Sequence, residues 1–89
     1  MTLEFSNPSR HFDATRNCVC FWGYDSVIEI SFYLETSALQ KLFPKIDGEE
    51  AGYIKAFDDA RNQIHEVAKK VYAYDEKSTH AYFLSAEDF

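Results

Sequence analysis

The clearest order in the chain is a stripe of apolar positions in its second half. Tyr53, Phe57, Ala60, Ile64, Val67 and Val71 recur at alternating steps of four and three, and Ile54, Ala56, Ala68 and Tyr72 widen the stripe into a broad face. Lys55, Asp59, Asn62, Glu66 and Lys69 fall on the opposite side, where Lys55 with Asp59 and Glu66 with Lys70 meet one helical turn apart. Asp47 followed by Glu50 has the spacing of a capping box, and Glu49 suits the positive end of a helix dipole. One continuous amphipathic helix is therefore expected over residues 47–73, about 25 residues and roughly 37 Å long. Ser37 with Gln40, followed by Leu39, Leu42 and Phe43 and stopped by Pro44, predicts a shorter helix of about two turns ahead of it.

Nearer the N-terminus the period changes from helical to two. Ile28, Ile30, Phe32 and Leu34 alternate with Glu29, Ser31 and Tyr33, the pattern of a strand with one face on the core. The preceding run, Asn17–Gly23, opposes Val19 and Phe21 to Cys18, Cys20 and Trp22, so both of its faces are apolar and it is expected in a covered position. The two runs read as a hairpin through Tyr24 and Asp25. Thr2–Phe5 reads as an edge strand ended by the turn-forming Ser6–Ser9, Asp75–Ser78 as a loop, and Thr79–Ser85 as a last strand.

The order β-β-β-α-α-β predicts an α+β fold. A small antiparallel sheet is packed on one long amphipathic helix and one short helix, and its other face is wet or paired in a dimer. Trp22, Tyr33 and Tyr82 are expected on that open face, where a contiguous patch would be a partner surface.

Composition narrows the class. Eighty-nine residues make one domain, 1–89, and 46% hydrophobic with 17% aromatic residues is enough core material to fold without a metal or disulfide staple. Fifteen acidic against nine basic residues, a net charge of −6, repel a phosphate backbone, so nucleic acid is excluded as the expected partner despite Arg10, His11 and Arg16 lying close together. The start, MTLEFSNPSRHF, lacks the basic and apolar run of a secretory signal, and no stretch approaches the roughly 20 apolar residues of a membrane span. A cytoplasmic location away from membranes is expected. Cys18 and Cys20 on one strand face would stand about 6–7 Å apart, too far for an unstrained disulfide, and are read as reduced thiols.

Little in the spacing carries chemistry. Two thiolates would begin a zinc or copper site, but a closed structural zinc site takes four ligands, His11 is the only histidine near in sequence and no second closely spaced pair exists, so neither metal nor cofactor is expected. His11, His65 and His80 have no metal-protease or nucleophile-activating spacing, and the three glycines form no phosphate loop. No catalytic residue is assigned, and the balance leans away from an enzyme. The unusual residue is Arg61, on the margin of the apolar stripe with Asp58, His65 and Tyr72 around it. Its guanidinium either pairs with an acid such as Asp13, Asp25 or Glu29, or joins Arg10 and Arg16 in recognising a carboxylate or phosphate. The candidate binding residues are Arg10, Asp13, Arg16, Trp22, Asp25, Arg61 and His65.

The strings NPSRHFDATRNCVCFWGYDS, EISFYLE, EAGYIKAFDDARNQIHEVAKKVY and YFLSAEDF resemble a family of short bacterial proteins catalogued as domain of unknown function 1488. The resemblance spans nearly the whole chain and is carried by Arg10, Asp13, Arg16, Phe21-Trp22-Gly23 and the closing Asp88-Phe89. It implies an α+β fold and a bacterial, cytoplasmic setting, and it supplies no activity. The function expected is a small non-catalytic binding or regulatory module acting through protein contacts, with another protein or a second copy as partner. The alternative is a sensor or enzyme for an anionic metabolite built on Arg10, Asp13, Arg16 and Arg61.

Overall fold

A computed structural model describes residues 3–74 and 81–89, and these form an α+β fold. Strand β1 (Leu3–Glu4) is followed by β2 (Arg10–Asp13), β3 (Cys18–Asp25) and β4 (Ile28–Glu35). Helices α1 (Thr36–Leu42), α2 (Glu50–Asp59) and α3 (Arg61–Tyr74) come next, and β5 (Ala81–Leu84) and a 3-10 turn at Ala86–Asp88 close the chain. The expected loop at 75–78, Thr79, His80 and Thr2 lie outside the described residues.

The hairpin forms as its alternation requires, with Cys18 opposite Glu35, Phe21 opposite Phe32 and Asp25 opposite Ile28. Only Ser26 and Val27 link the arms, and Ser26 takes a positive φ of 58° to close so short a connection. Along its other edge β3 is met first by β2, through Arg10 with Phe21 to Asp13 with Cys18, and then by β1, through Leu3 with Asp25. The strand β2 is an addition to the expected set. Its turn back into β3 is built by Asp13, whose Oδ1 accepts from the amides of Thr15 (3.0 Å) and Arg16 (3.2 Å), and by Asn17 at φ 54°.

Strand β5 joins the far edge parallel to β4, pairing Ser31 with Ala81 and Leu34 with Leu84, so the sheet is mixed where a wholly antiparallel one was expected. The cause is the connection. Three helices intervene between β4 and β5, and a helical crossover of that length delivers a strand parallel to the one it left.

The core lies between the sheet and the helices. Val19 and Phe21 from β3, Ile30, Phe32 and Leu34 from β4, and Tyr82 and Leu84 from β5 meet Ala38 and Leu39 of α1, Tyr53 and Phe57 of α2, and Ile64, Ala68 and Tyr72 of α3. Phe21 is the hub, with ring centroids 5.2 Å from both Phe32 and Phe57 and 5.9 Å from Phe5. Gly23 continues the same face, and a Cβ there would stand 2.9 Å from the Phe5 ring and 3.1 Å from a Leu3 methyl, so any larger residue would displace the N-terminal segment's side chains.

The long helix is bent. Ala60 leaves helical geometry at φ −105°, ψ 15°, although its amide still donates to Ala56 O (3.0 Å) and its carbonyl accepts from Ile64 N (2.9 Å). The apolar stripe therefore runs on without the single straight rod predicted for 47–73. The bend falls between Asp58 and Arg61, both of which are tied back to the N-terminal segment.

Neither predicted capping box forms. The N-caps are Glu35 and Glu49, neither with a side-chain cap. The Thr36 amide instead donates to Asn17 O (3.0 Å), and Gln40 donates to the Tyr53 hydroxyl (2.9 Å), tying α1 to α2. Lys55 pairs with Asp59 as expected (2.9 Å), but Glu66 reaches Lys69 (3.7 Å) in place of Lys70.

Phe57→Ala, which empties the contact between α2 and Phe21, is expected to cost about 3–5 kcal/mol in urea denaturation, whereas truncating the exposed Val27 should change stability by less than about 0.5 kcal/mol.

Candidate functional site

The residues singled out from the sequence divide between the two sides of the sheet. Arg10 and Phe12 share the helix side of β2 because they pair with Phe21 and Val19, while His11 and Asp13 point the other way with Cys20 and Cys18. Arg10 forms a bidentate pair with Asp58, its Nε donating to Oδ1 (3.0 Å) and its Nη2 to Oδ2 (2.9 Å). Arg61 donates to the same Oδ1 (2.7 Å) and to the Pro8 carbonyl (3.2 Å), and its guanidinium lies 5.0 Å from the Phe57 ring centre. The acid that Arg61 pairs with is thus Asp58, three residues away on the same helical stretch, in place of Asp13, Asp25 or Glu29. Hydrogen bonding from Arg10 holds the Asp58 carboxyl below the usual carboxylate range, opposed by partial desolvation and aided by Arg61.

His65, one turn beyond Arg61, lies flat on Phe5 with ring centroids 4.0 Å apart and an interplanar angle of 7°. Burial, and secondarily the charges of Arg61 and Lys69, push its pKa down to about 4, so the imidazole is neutral at physiological pH. Asp25, at the far end of β3, accepts a hydrogen bond from the Tyr72 hydroxyl. It borders a polar recess of about 580 Å³ lined by Glu4, Ser6, Tyr24 and Ser26. An apolar groove of about 540 Å³ lies elsewhere, between Leu42–Asp47 and α2.

The opposite side of the sheet is the more coherent surface. Register places His11, Cys20, Tyr33 and Phe83 in one row across four strands, with Asp13, Cys18 and Glu35 in the next row and Trp22, Ser31 and Ala81 on the other flank. Phe83 is 60% exposed and stacks on Tyr33 at 4.9 Å. Arg16 caps Tyr33 from above, 5.2 Å from its ring centre, and reaches Asp13 at 3.8 Å. Trp22 is half-buried beside them.

Tyr82 is not part of this face. It points into the core against Phe32 (5.6 Å) and edge-on to Tyr72 (5.6 Å), because parallel pairing with β4 aligns it with Phe32, and Phe83 takes the outward position.

Beneath Arg16 and Tyr33 the two cysteines are closed off, Cys18 at 1% exposure and Cys20 at 7%, and neither forms a disulfide. Desolvation, and secondarily the neighbouring thiol, push the Cys18 pKa up to about 12, and desolvation raises that of Cys20 as well. The Asp13 carboxylate joins them, so the pair stands beside a third metal-type ligand that the sequence reading missed. The signal was the short β2 to β3 turn, which places Asp13 opposite Cys18.

Arg10, Arg61 and His65 therefore gather on the helix side around Asp58 and Phe5. Asp13, Arg16 and Trp22 belong to the open face, and Asp25 stands apart from both groups.

The chain is thus a single mixed sheet layered on helices, with an aromatic face turned away from them. It belongs to the family described as a protein of unknown function (DUF1488), whose model matches residues 3–84. Among solved structures it is similar to the crystal structure of a DUF1488 protein of unknown function from Shewanella loihica PV-4, with a TM-score of 0.74 and 18% identity over 89% of each chain. That likeness concerns the fold. No curated protein matches the chain. Among the described residues no helix is long and apolar enough to cross a membrane.

Two expected outcomes follow from the helix-side residues. A lowered carboxyl pKa stabilises the fold above the unfolded value of about 3.9 and is lost as pH falls through the folded one, so Asp58→Asn should cost about 1 kcal/mol at pH 7 and progressively less as pH falls below about 3.9, read by denaturation across that range. For His65, the unfolded chain binds the extra proton between pH 6.5 and about 4, so stability falls as pH drops through that window. His65→Phe, which keeps the stack on Phe5, should abolish that part of the slope, and NMR titration of the native imidazole should give a midpoint near 4.

Proposed function

We propose that this chain is a non-catalytic binding or regulatory module of the bacterial cytoplasm that acts through protein contacts, and that the contact is made by the open sheet face with a second copy of the chain. The observation that supports this most directly is the row across that face. A 60% exposed Phe83 on the edge strand β5 stacks on Tyr33 of β4 and leaves aromatic surface in water, with the half-buried Trp22 farther along the same face. Aromatic residues of this kind are the usual anchors of protein interfaces.

The surroundings favour self-association. The same face carries Arg16 together with Asp13, Glu29 and Glu35, and a patch with both signs can meet its own two-fold copy so that Arg16 of each copy faces an acid of the other. The helix side offers less to an anionic metabolite. Asp58 already occupies the guanidinium of Arg10 and part of that of Arg61, and Arg16 lies across the sheet from both.

Light scattering across a wide protein concentration range tests the reading. The wild-type chain is expected to dimerise, and Phe83→Glu to shift it to monomer while its circular dichroism stays native, because the exposed side chain leaves no buried cavity. A wild-type chain that stays monomeric throughout would overturn the proposal.

A further inference from the structure

The same side of β3 carries a second arrangement, centred on its two buried cysteines. Asp13, Cys18 and Cys20 bring one carboxylate oxygen and two sulfurs to within 4.8 Å of one another. The placement is built by the fold, since alternation along β3 puts both cysteines on one face and the turn Asp13–Cys18 closes the carboxylate over them. From this geometry we infer that Asp13, Cys18 and Cys20 bind a zinc ion through one carboxylate oxygen and two thiolates, leaving a fourth position for water.

The dimensions suit that ion. Tetrahedral zinc with bonds of about 2.3 Å to sulfur holds its ligand atoms roughly 3.5–3.8 Å apart, so atoms within 4.8 Å of one another would have up to about 1 Å to close. Softness selects as well, because two thiolates favour zinc or copper(I) over magnesium or calcium, and the carboxylate favours zinc over copper(I).

Charge also balances. Two thiolates and a carboxylate carry three negative charges, and a divalent ion with the Arg16 guanidinium, now 3.8 Å from Asp13, supplies three positive ones. The site is thereby neutral where Cys18 and Cys20 are almost wholly excluded from solvent. The groups facing the thiols are His11 and Asp13 from β2, Arg16 from the turn, and Tyr33 and Glu35 from β4. The cysteines are thiols without metal, so each zinc bound at pH 7.5 displaces two protons to solvent as two Zn–S bonds form.

The full-length chain, stripped with a chelator and kept reduced, is titrated with Zn(II) against a chromophoric competitor and separately with Co(II). One ion per chain is expected, with release of close to two protons, and with Co(II) a sulfur-to-metal charge-transfer band in the near ultraviolet together with visible d–d bands of tetrahedral intensity. Cys18→Ser and Cys20→Ser should each weaken binding by more than the roughly 10–100-fold that loss of an outer-shell partner costs. Asp13→Asn keeps a side-chain oxygen for the Thr15 and Arg16 amides, so it preserves the turn while removing the anionic ligand, and should weaken binding while circular dichroism stays native. Well under one ion per chain, a cobalt complex without the sulfur band, or zinc binding that survives in the Cys18→Ser, Cys20→Ser double variant would overturn the inference, as would binding of copper(I) alone. Oligomeric state does not enter any of these readouts, so this site and the contact face stand or fall separately.

Discussion

Strand β3 has no wet side, and the rest of the molecule is arranged around that constraint. It is paired along both edges, by β1 and β2 on one and β4 on the other, and Cys18 through Phe21 are buried whichever way they point. Val19 and Phe21 are covered by the helices. Among the described residues no helix lies over Cys18 and Cys20, and the sheet shelters them with its own side chains, Tyr33 from the neighbouring strand and Arg16 from the turn. A small apolar thiol is a side chain that tolerates such thin cover, since it buries cheaply and needs no hydrogen-bond partner. The two faces thus differ in kind: one is a packed hydrophobic core, the other a shallow aromatic and polar surface that remains available.

Electrostatics secures the layer above. Asp58 gathers Arg10 from β2 and Arg61 from the start of α3, so one carboxylate at the bend links the sheet edge, the N-terminal segment and the helices. The pairs are partly exposed, with Asp58 at 39%, and their energetic worth is modest. They join the residues on either side of the bend to β2 and to the Pro8 carbonyl. His65 extends the same seam by stacking on Phe5, a neutral ring used as a flat apolar surface.

Much of this was legible in the sequence, for reasons that differ by element. The helical stripe from Tyr53 to Tyr72 and the alternation Ile28 to Leu34 are strong because each records a face buried against a whole layer, and the double-sided burial of the Cys18 to Trp22 run followed from its lack of a polar side. The bend at Ala60 was not legible, since neither proline nor glycine marks it and the stripe is unbroken. Strand β2 was missed because Arg10, His11 and Asp13 do not read as β-formers, and pairing with β3 alone makes them one. Tyr82 was expected on the open face, but β5 pairs it with the inward Phe32 and Phe83 with the outward Tyr33, and a short run of adjacent aromatics does not say which member faces in. Among the candidate site residues, Arg61 was placed correctly at the core margin, but its partner was sought in distant acids when the nearest one, on its own helical stretch, takes it. Asp13 was named without its relation to the cysteines, which depends on the tight turn that follows it.

The account stands on β3 being closed on the side the helices do not cover. Reaction of the native, metal-free chain with a chromogenic disulfide reagent at neutral pH measures that directly, since buried protonated thiols react only when the sheet opens. The account predicts that both cysteines label orders of magnitude more slowly than in the urea-unfolded chain, at a rate that rises with mild denaturant. Labelling of either thiol at the unfolded rate in the native protein would contradict it.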